Sequence, residues 1–128
     1  MALKSKEIIS WILAGILALV YIGAGGSKLM GAEAQIRNLH SWGYPLWTLY
    51  PIGLIEIGMA IGLLIPRFRK ITIYGVFIWT LAAVTTHLQA GQAGFIGAPI
   101  LLGALAAAIL LLSGENRKVP EYVSQDRS

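Results

Sequence analysis

Three ionisable side chains lie inside or at the ends of long apolar segments of this chain, where such groups are rare and usually functional. Glu56 is a lone carboxylate in the middle of an almost wholly apolar stretch, residues 46–65. Lys28 and His87 stand near the ends of two other apolar segments. Together, the three side chains could hydrogen-bond a carbonyl group of a lipophilic ligand or relay its protons. They are therefore the candidate functional residues.

Each of these residues also has a structural explanation. Lys28 could extend its ammonium group to the membrane surface, and His87 could be an interfacial polar residue. Glu56 has no counter-charge within one turn of its own helix, so it is either protonated or paired with another helix, and a purely structural pair with Lys28 stays open. A metal site built from His40, His87 and Glu56 is disfavoured, because no close ligand spacing such as HxxxH supports it.

Composition identifies an integral membrane protein. The 128 residues are 56% hydrophobic and 12% charged, and their mean hydropathy is +0.70, values well outside the range of ordinary soluble domains. The net charge of +4 comes from basic residues beside apolar segments, so it predicts no nucleic-acid partner. The absence of cysteine excludes disulfides, thiol catalysis and thiolate metal sites.

The apolar segments predict an all-α fold: a single antiparallel four-helix transmembrane bundle occupying residues 1–128. The predicted helices cover residues 8–30, 46–65, 71–88 and 95–112, and a polar tail follows at 113–128. Each segment is roughly 27 to 35 Å long as a helix, which is enough to cross a hydrocarbon core of about 30 Å. Pro51 and Pro99 either kink their helices or mark where the regular part begins.

The distribution of Lys and Arg predicts the orientation. Eight basic residues fall on the side of the two termini and two on the other side, so the positive-inside rule places both termini in the cytoplasm. The loop at 31–45 then lies outside, where it could cap the mouth of the bundle. A cleaved signal peptide is disfavoured, because the first apolar run exceeds the about 7 to 15 residues of such a segment.

Helical spacing predicts which faces meet. The first helix should face the bundle with a stripe that ends in the lysine: Trp11, Ala14, Ala18, Tyr21, Gly25 and Lys28. Gly58 and Gly62 form a GxxxG motif, so this side of the second helix should pack tightly against a neighbour. The residues predicted to line a pocket around the three ionisable groups are Tyr21, Gly25, Gly53, Trp47, Trp79 and Thr80.

Several short segments resemble one family of small membrane proteins. They are Gly25-Gly-Ser-Lys28-Leu, Gly43-Tyr-Pro45, Gly53-Leu-Ile-Glu56-Ile-Gly, Leu63-Leu-Ile-Pro66-Arg67 and Thr86-His87-Leu88. Their order and spacing, over roughly residues 8–112, resemble the DoxX-like family. The resemblance implies a multi-pass protein of a bacterial-type inner membrane, in which Lys28, Glu56 and His87 form a shared polar pocket. The family name comes from a quinone-linked thiosulfate oxidation system, but this chain has no cysteine and no recognisable flavin or haem motif.

Three kinds of function fit these observations. The favoured one is a redox accessory protein that binds a quinone or another lipophilic ligand in its polar pocket and holds no covalent cofactor. The second is a small proton-coupled multidrug-type exporter that uses Glu56, although such exporters carry their carboxylate in the first helix. The third is a membrane assembly or scaffold subunit. Expected partners are membrane lipids, a lipophilic small molecule, and a redox protein or a second copy of the chain; whether the protein is an enzyme stays open.

Overall fold

A computed structural model describes residues 5–116, which form five α-helices without any β-strand. The helices are α1 (Ser5–Leu29), α2 (Glu33–Trp42), α3 (Leu49–Leu64), α4 (Pro66–Gln89) and α5 (Gly97–Asn116), and 3-10 turns at Leu46–Thr48 and Ala93–Phe95 precede α3 and α5. Four segments are long and apolar enough to cross a membrane: Ser5–Leu29, Leu46–Leu64, Pro66–Gln89 and Ala93–Ser113. The predicted all-α membrane fold is confirmed.

The helix that follows α3 begins earlier than its predicted start at residue 71. Pro66 occupies the first position of α4, where its missing N–H would have no intrahelical partner in any case. Arg67 and Arg69 therefore lie on the first turn of α4 rather than in a loop. At the other end of the chain, α5 continues to Asn116, and the rest of the predicted polar tail lies outside the described residues.

Two other prolines mark the starts of helices. Pro51 is the third residue of α3, and Pro99 is the third residue of α5. A proline in the first turn removes an N–H that the helix cannot pair internally, so it costs no intrahelical hydrogen bond. The sequence left two alternatives for each proline, a kink inside the helix or the start of its regular part. The structure shows the second.

The four long helices form a ring in which α1 and α4 each pack against both α3 and α5. The predicted inner stripe of α1 is buried from Ala14 to Lys28. The prediction was wrong for Trp11, which is 43% exposed, and the neighbouring Ser10 is buried in its place. The core of the bundle consists of Ala14, Leu17, Ala18, Tyr21, Met59, Ala60, Leu63, Ile73, Val76, Ala106 and Ile109.

Small residues permit close helix contacts, at one of the two predicted glycines and at a further pair of glycines. Gly62 packs against the side chain of Thr72 on α4, whereas a Cβ atom on Gly58 would meet nothing within 4 Å. The GxxxG prediction was therefore wrong for Gly58, because its side of α3 is exposed. α1 and α3 approach each other closely at Gly25 and Gly53, where an added Cβ on Gly25 would lie 2.7 Å from the Gly53 carbonyl oxygen.

The segment between α1 and α3 contains a short helix that packs against one end of the ring. α2 contacts α1, α3 and α4, and its Leu39 side chain is buried. Gly43 ends α2 with a φ of 78°, a left-handed conformation that glycine adopts readily. This end of the bundle, which includes Lys28 and His87, is called the α2 end below.

Arg69 of α4 contacts both α3 and α1 at the end of the bundle opposite to α2. Its Nε donates a hydrogen bond to the Leu63 carbonyl at 2.7 Å, near the C-terminus of α3. The guanidinium carbon lies 4.2 Å from the centre of the Trp11 ring, a distance typical of a cation–π contact. Trp11 therefore lies over a buried arginine, which explains why it does not point into the core.

Candidate functional site

Lys28 and Glu56 form a buried ion pair. Lys28 Nζ donates to Glu56 Oε1 at 2.8 Å, and each residue is only 7% exposed. Glu56 is the eighth of the sixteen residues of α3, whereas Lys28 is the penultimate residue of α1. The lysine side chain therefore points inward from the end of its helix, because the membrane carboxylate supplies its counter-charge.

The second carboxylate oxygen also has a partner. Trp79 Nε1 donates to Glu56 Oε2 at 3.3 Å, so one donor from α1 and one from α4 hold the carboxylate of α3. A lysine ammonium has three N–H donors, and Glu56 is the sole hydrogen-bond acceptor of Nζ among residues 5–113, whose side chains the structure describes. Two N–H groups of Lys28 are therefore left to bind a water molecule or the oxygen of a ligand.

His87 belongs to a separate hydrogen-bonding network at the α2 end. Its Nδ1 lies 2.8 Å from Gln92 Oε1, and this oxygen also accepts a hydrogen bond from Trp42 Nε1 at 3.0 Å. Gln92 Nε2 donates to Ser41 Oγ at 3.3 Å. Within the described part of the chain, His87 makes no hydrogen bond to Lys28 or Glu56. The structure thus brings the predicted lysine and glutamate into contact and leaves the histidine in a neighbouring network.

Two cavities of about 260 and 310 Å³ connect these groups. Tyr44, Ile52 and Thr86 line the smaller cavity but not the larger one. The larger cavity continues toward α1 and α5, where Leu102 forms part of its wall. The residues that line both cavities are Lys28, Trp42, Glu56, Trp79, Ala83 and His87. All three predicted ionisable residues therefore border a common space, which is otherwise mostly apolar and aromatic.

The residues predicted as pocket walls fall into three groups. Trp79 lines both cavities, and Tyr21 and Thr80 line the larger one; the buried Thr80 Oγ1 has no hydrogen-bond partner in residues 5–113. Gly25 and Gly53 lie in the helix contact behind the ion pair. Trp47 is 67% exposed and lines neither cavity, because the 3-10 turn before α3 points its side chain outward.

Four residues of the site were not predicted from the sequence. Trp42 lines both cavities, Gln92 holds the ring of His87, and the hydroxyl groups of Tyr44 and Thr86 lie 2.6 Å apart. The sequence pattern that could have revealed Trp42 is the spacing of Ile36, Leu39 and Trp42, which places apolar side chains on one face of a short helix. No comparable signal marks Gln92, because a polar residue in a turn is ordinary.

Among residues 5–113, whose side chains the structure describes, no group of three His, Asp or Glu residues could hold a metal ion. The side chains of this site can form hydrogen bonds and exchange protons. Lys28 can donate, Glu56 can accept, and Trp79 and Trp42 offer flat apolar surfaces beside these groups.

Fold and site together define a four-span helical membrane protein with a buried Lys–Glu pair at the wall of an internal cavity. The sequence model of the DoxX-like family matches residues 12–109, which are 98 of the 128 residues. The chain belongs to the DoxX-like family, as its motifs predicted. No curated protein and no solved structure shows a significant match to it.

Proposed function

We propose that this protein binds a quinone-type or similar lipophilic ligand in the cavities beside the Lys28–Glu56 pair and acts as an accessory subunit of a membrane redox system. The observation that carries the proposal is a lysine with two unused N–H donors at the wall of an apolar, aromatic cavity. A carbonyl oxygen of the ligand would accept one of these hydrogen bonds, and Trp79 would lie against its ring.

The size of the cavities supports a small ring-shaped head group. Their volumes of about 260 and 310 Å³ lie just below and just above the lower limit of the roughly 300 to 1,000 Å³ typical of ligand pockets. A single ring with its polar substituents fits such a space, and an alkyl tail would leave between the helices toward lipid. The redox chemistry would belong to the ligand and to a partner protein, in a bacterial-type inner membrane.

The exporter alternative is less well supported by the same geometry. A proton-coupled exporter needs a carboxylate that alternates between a proton and a cationic drug, but the Lys28 ammonium lies 2.8 Å from Glu56 Oε1. A cationic drug that entered the site would have to displace the Lys28 ammonium from Glu56, and the positive charge of the lysine would repel it. A scaffold role explains the packing of the glycines but not an unpartnered Thr80 hydroxyl at the edge of a cavity.

The proposal is tested by extracting and identifying the lipids that co-purify with the protein, using native mass spectrometry. Wild-type protein should retain a quinone or related lipophile in stoichiometric amount. The double variant Lys28→Met/Glu56→Gln removes both charges and should lose the ligand while remaining folded. Lys70→Met is the matched control, because Lys70 is exposed and lines neither cavity. Equal retention by the double variant would contradict the proposal, as would wild-type protein that carries only bulk phospholipid.

A further inference from the structure

Gln92 holds His87 through both its backbone and its side chain. The Gln92 backbone N–H donates to the His87 carbonyl at 2.7 Å, and the side-chain Oε1 lies 2.8 Å from His87 Nδ1. Between the two residues, Gly91 takes a φ of 73°, which turns the chain back so that both contacts form. Gln92 and His87 therefore behave as one unit at the α2 end.

The hydrogen bonds around Gln92 determine which way its amide faces. The indole N–H of Trp42 can only donate, and it lies 3.0 Å from the atom assigned as Gln92 Oε1. If the amide were flipped, its NH₂ group would face the indole N–H, and two hydrogen-bond donors would then oppose each other. The amide NH₂ instead donates to Ser41 Oγ at 3.3 Å. The atom that faces both Trp42 and His87 is therefore the oxygen, which only accepts.

This orientation decides the role of each nitrogen of His87. Since Gln92 Oε1 is an acceptor, Nδ1 must carry the hydrogen that joins them, and in the neutral ring Nε2 then has the free lone pair. Nε2 makes no hydrogen bond to any residue between 5 and 113, and His87 lines both cavities. Edge-on contact with the Trp42 ring, at a centroid distance of 5.5 Å, also restricts rotation of the imidazole.

We propose that Gln92 fixes His87 as a hydrogen-bond acceptor toward the cavity, so that the ligand must present a hydroxyl group there, as a phenol or the reduced form of a quinone does. The inference rests on the proposed ligand pocket and adds a chemical class to it. Lys28 donates to one oxygen of the ligand and His87 accepts from a hydroxyl. In this arrangement His87 determines specificity, and Gln92 is a positioning residue that acts through it.

The tautomer can be measured without any ligand. Full-length protein labelled with ¹⁵N-histidine, in a His40→Gln background that leaves His87 as the single histidine of the chain, is examined by long-range ¹⁵N–¹H correlation at about pH 8. The expected signature is protonated Nδ1 and unprotonated Nε2. Gln92→Leu should shift His87 toward the Nε2–H form. Gln89→Leu is the matched control, because Gln89 is exposed and lines neither cavity.

Specificity is measured with two redox-inert probes, 4-hydroxydecanophenone (a phenol with a ketone carbonyl opposite its hydroxyl) and its methyl ether 4-methoxydecanophenone, titrated calorimetrically into the protein in lipid nanodiscs. Both probes offer an oxygen to Lys28, but only the phenol can donate to His87. Wild type should bind the phenol about tenfold more tightly, the effect of one hydrogen bond to an otherwise unpaired acceptor. Gln92→Leu should reduce the ratio to about threefold or less, and Gln92→Glu, which keeps an acceptor for Trp42 and His87, should restore it.

The outcomes separate this inference from the proposed function. A wild-type His87 with protonated Nε2 overturns the inference alone, even if a quinone co-purifies with the protein. Equal affinity for the two probes overturns it as well. If neither probe binds and no lipophile is retained, the proposed function fails together with the ligand assignment, whatever the tautomer. Protonated Nδ1, a preference for the phenol and its loss in Gln92→Leu support the inference.

Discussion

Gly53 on α3 lies directly against the base of Lys28 on α1: a Cβ atom added to Gly53 would be 3.1 Å from Lys28 Cβ and 3.0 Å from the Gly25 carbonyl oxygen. The two backbones can approach this closely because neither glycine carries a side chain. The lysine stem therefore passes over the α3 backbone, and its ammonium group reaches Glu56 one turn farther along α3. The position of the ion pair thus depends on a contact between two glycines.

The first prediction concerns this contact. Gly25→Ala should lower the free energy of unfolding by about 1 to 3 kcal/mol, the usual cost of overpacking, because the new methyl group would meet the Gly53 carbonyl and the Ile57 side chain. Thermal melting in detergent measures the effect. Gly23→Ala is the control, since nothing lies within 4 Å of a Cβ at that position. Equal melting temperatures for the two variants would contradict the observed helix contact.

The second prediction concerns the charges of the ion pair. Glu56→Gln should destabilise the protein by about 3 kcal/mol, because a buried lysine without its counter-charge is costly. Adding Lys28→Met should recover most of the loss, and a double-mutant cycle gives the coupling between the two residues. Additive effects of the two substitutions on thermal melting would mean that the side chains do not interact.

The third prediction separates the two glycines of the GxxxG motif. Gly62→Leu should lower thermal stability, because its side chain would collide with Thr72 on α4. Gly58→Leu should leave the melting temperature almost unchanged, since the space beside Gly58 is open. The two variants add the same side chain one helical turn apart, so each is a control for the other. Equal destabilisation by both would show that another surface covers Gly58 in the assembled protein.

The fourth prediction is the orientation of the bundle, which rests on the charge distribution of eight basic residues against two. Both termini should be cytoplasmic and α2 should lie on the outer side. Reporter fusions at Ser128 and within α2 at Asn38 should give opposite compartment readouts. The same readout from both fusions would refute this topology.

The sequence was sufficient to predict the membrane class, the number of spanning helices and the family. Apolar length defines a spanning helix whatever its neighbours are, so the four segments were found with boundaries that differ by a few residues, as at Pro66. Glu56, Lys28 and His87 were identified for the same reason, because an ionisable group stands out in an apolar segment. α2 was missed as a helix because its ten residues are too few and too polar to stand out among spanning segments, although Ile36, Leu39 and Trp42 share one face.

Contacts between helices were predictable only in part. Lipid is as apolar as the inside of the bundle, so the outward and inward faces of α3, α4 and α5 have similar compositions and the sequence does not define how each helix is rotated. This is why Gly58 was expected in a helix contact, although nothing lies within 4 Å of a Cβ atom at that position. For the same reason, Trp47 was expected in the pocket, where Trp42 lies.

The choice of partner for each polar group was settled by three-dimensional packing. Composition and spacing establish that Glu56 needs a partner from another helix, because an isolated carboxylate in lipid is costly. Composition and spacing do not distinguish Lys28 from His87 as this partner, since each stands at the end of a helix that packs against α3. The close contact of Gly25 with Gly53 brings Lys28 to the carboxylate. The turn at Gly91 places the Gln92 side chain within hydrogen-bonding distance of His87. Hydrogen bonds act over about 3 Å, and separations that small depend on the depth and rotation of every helix.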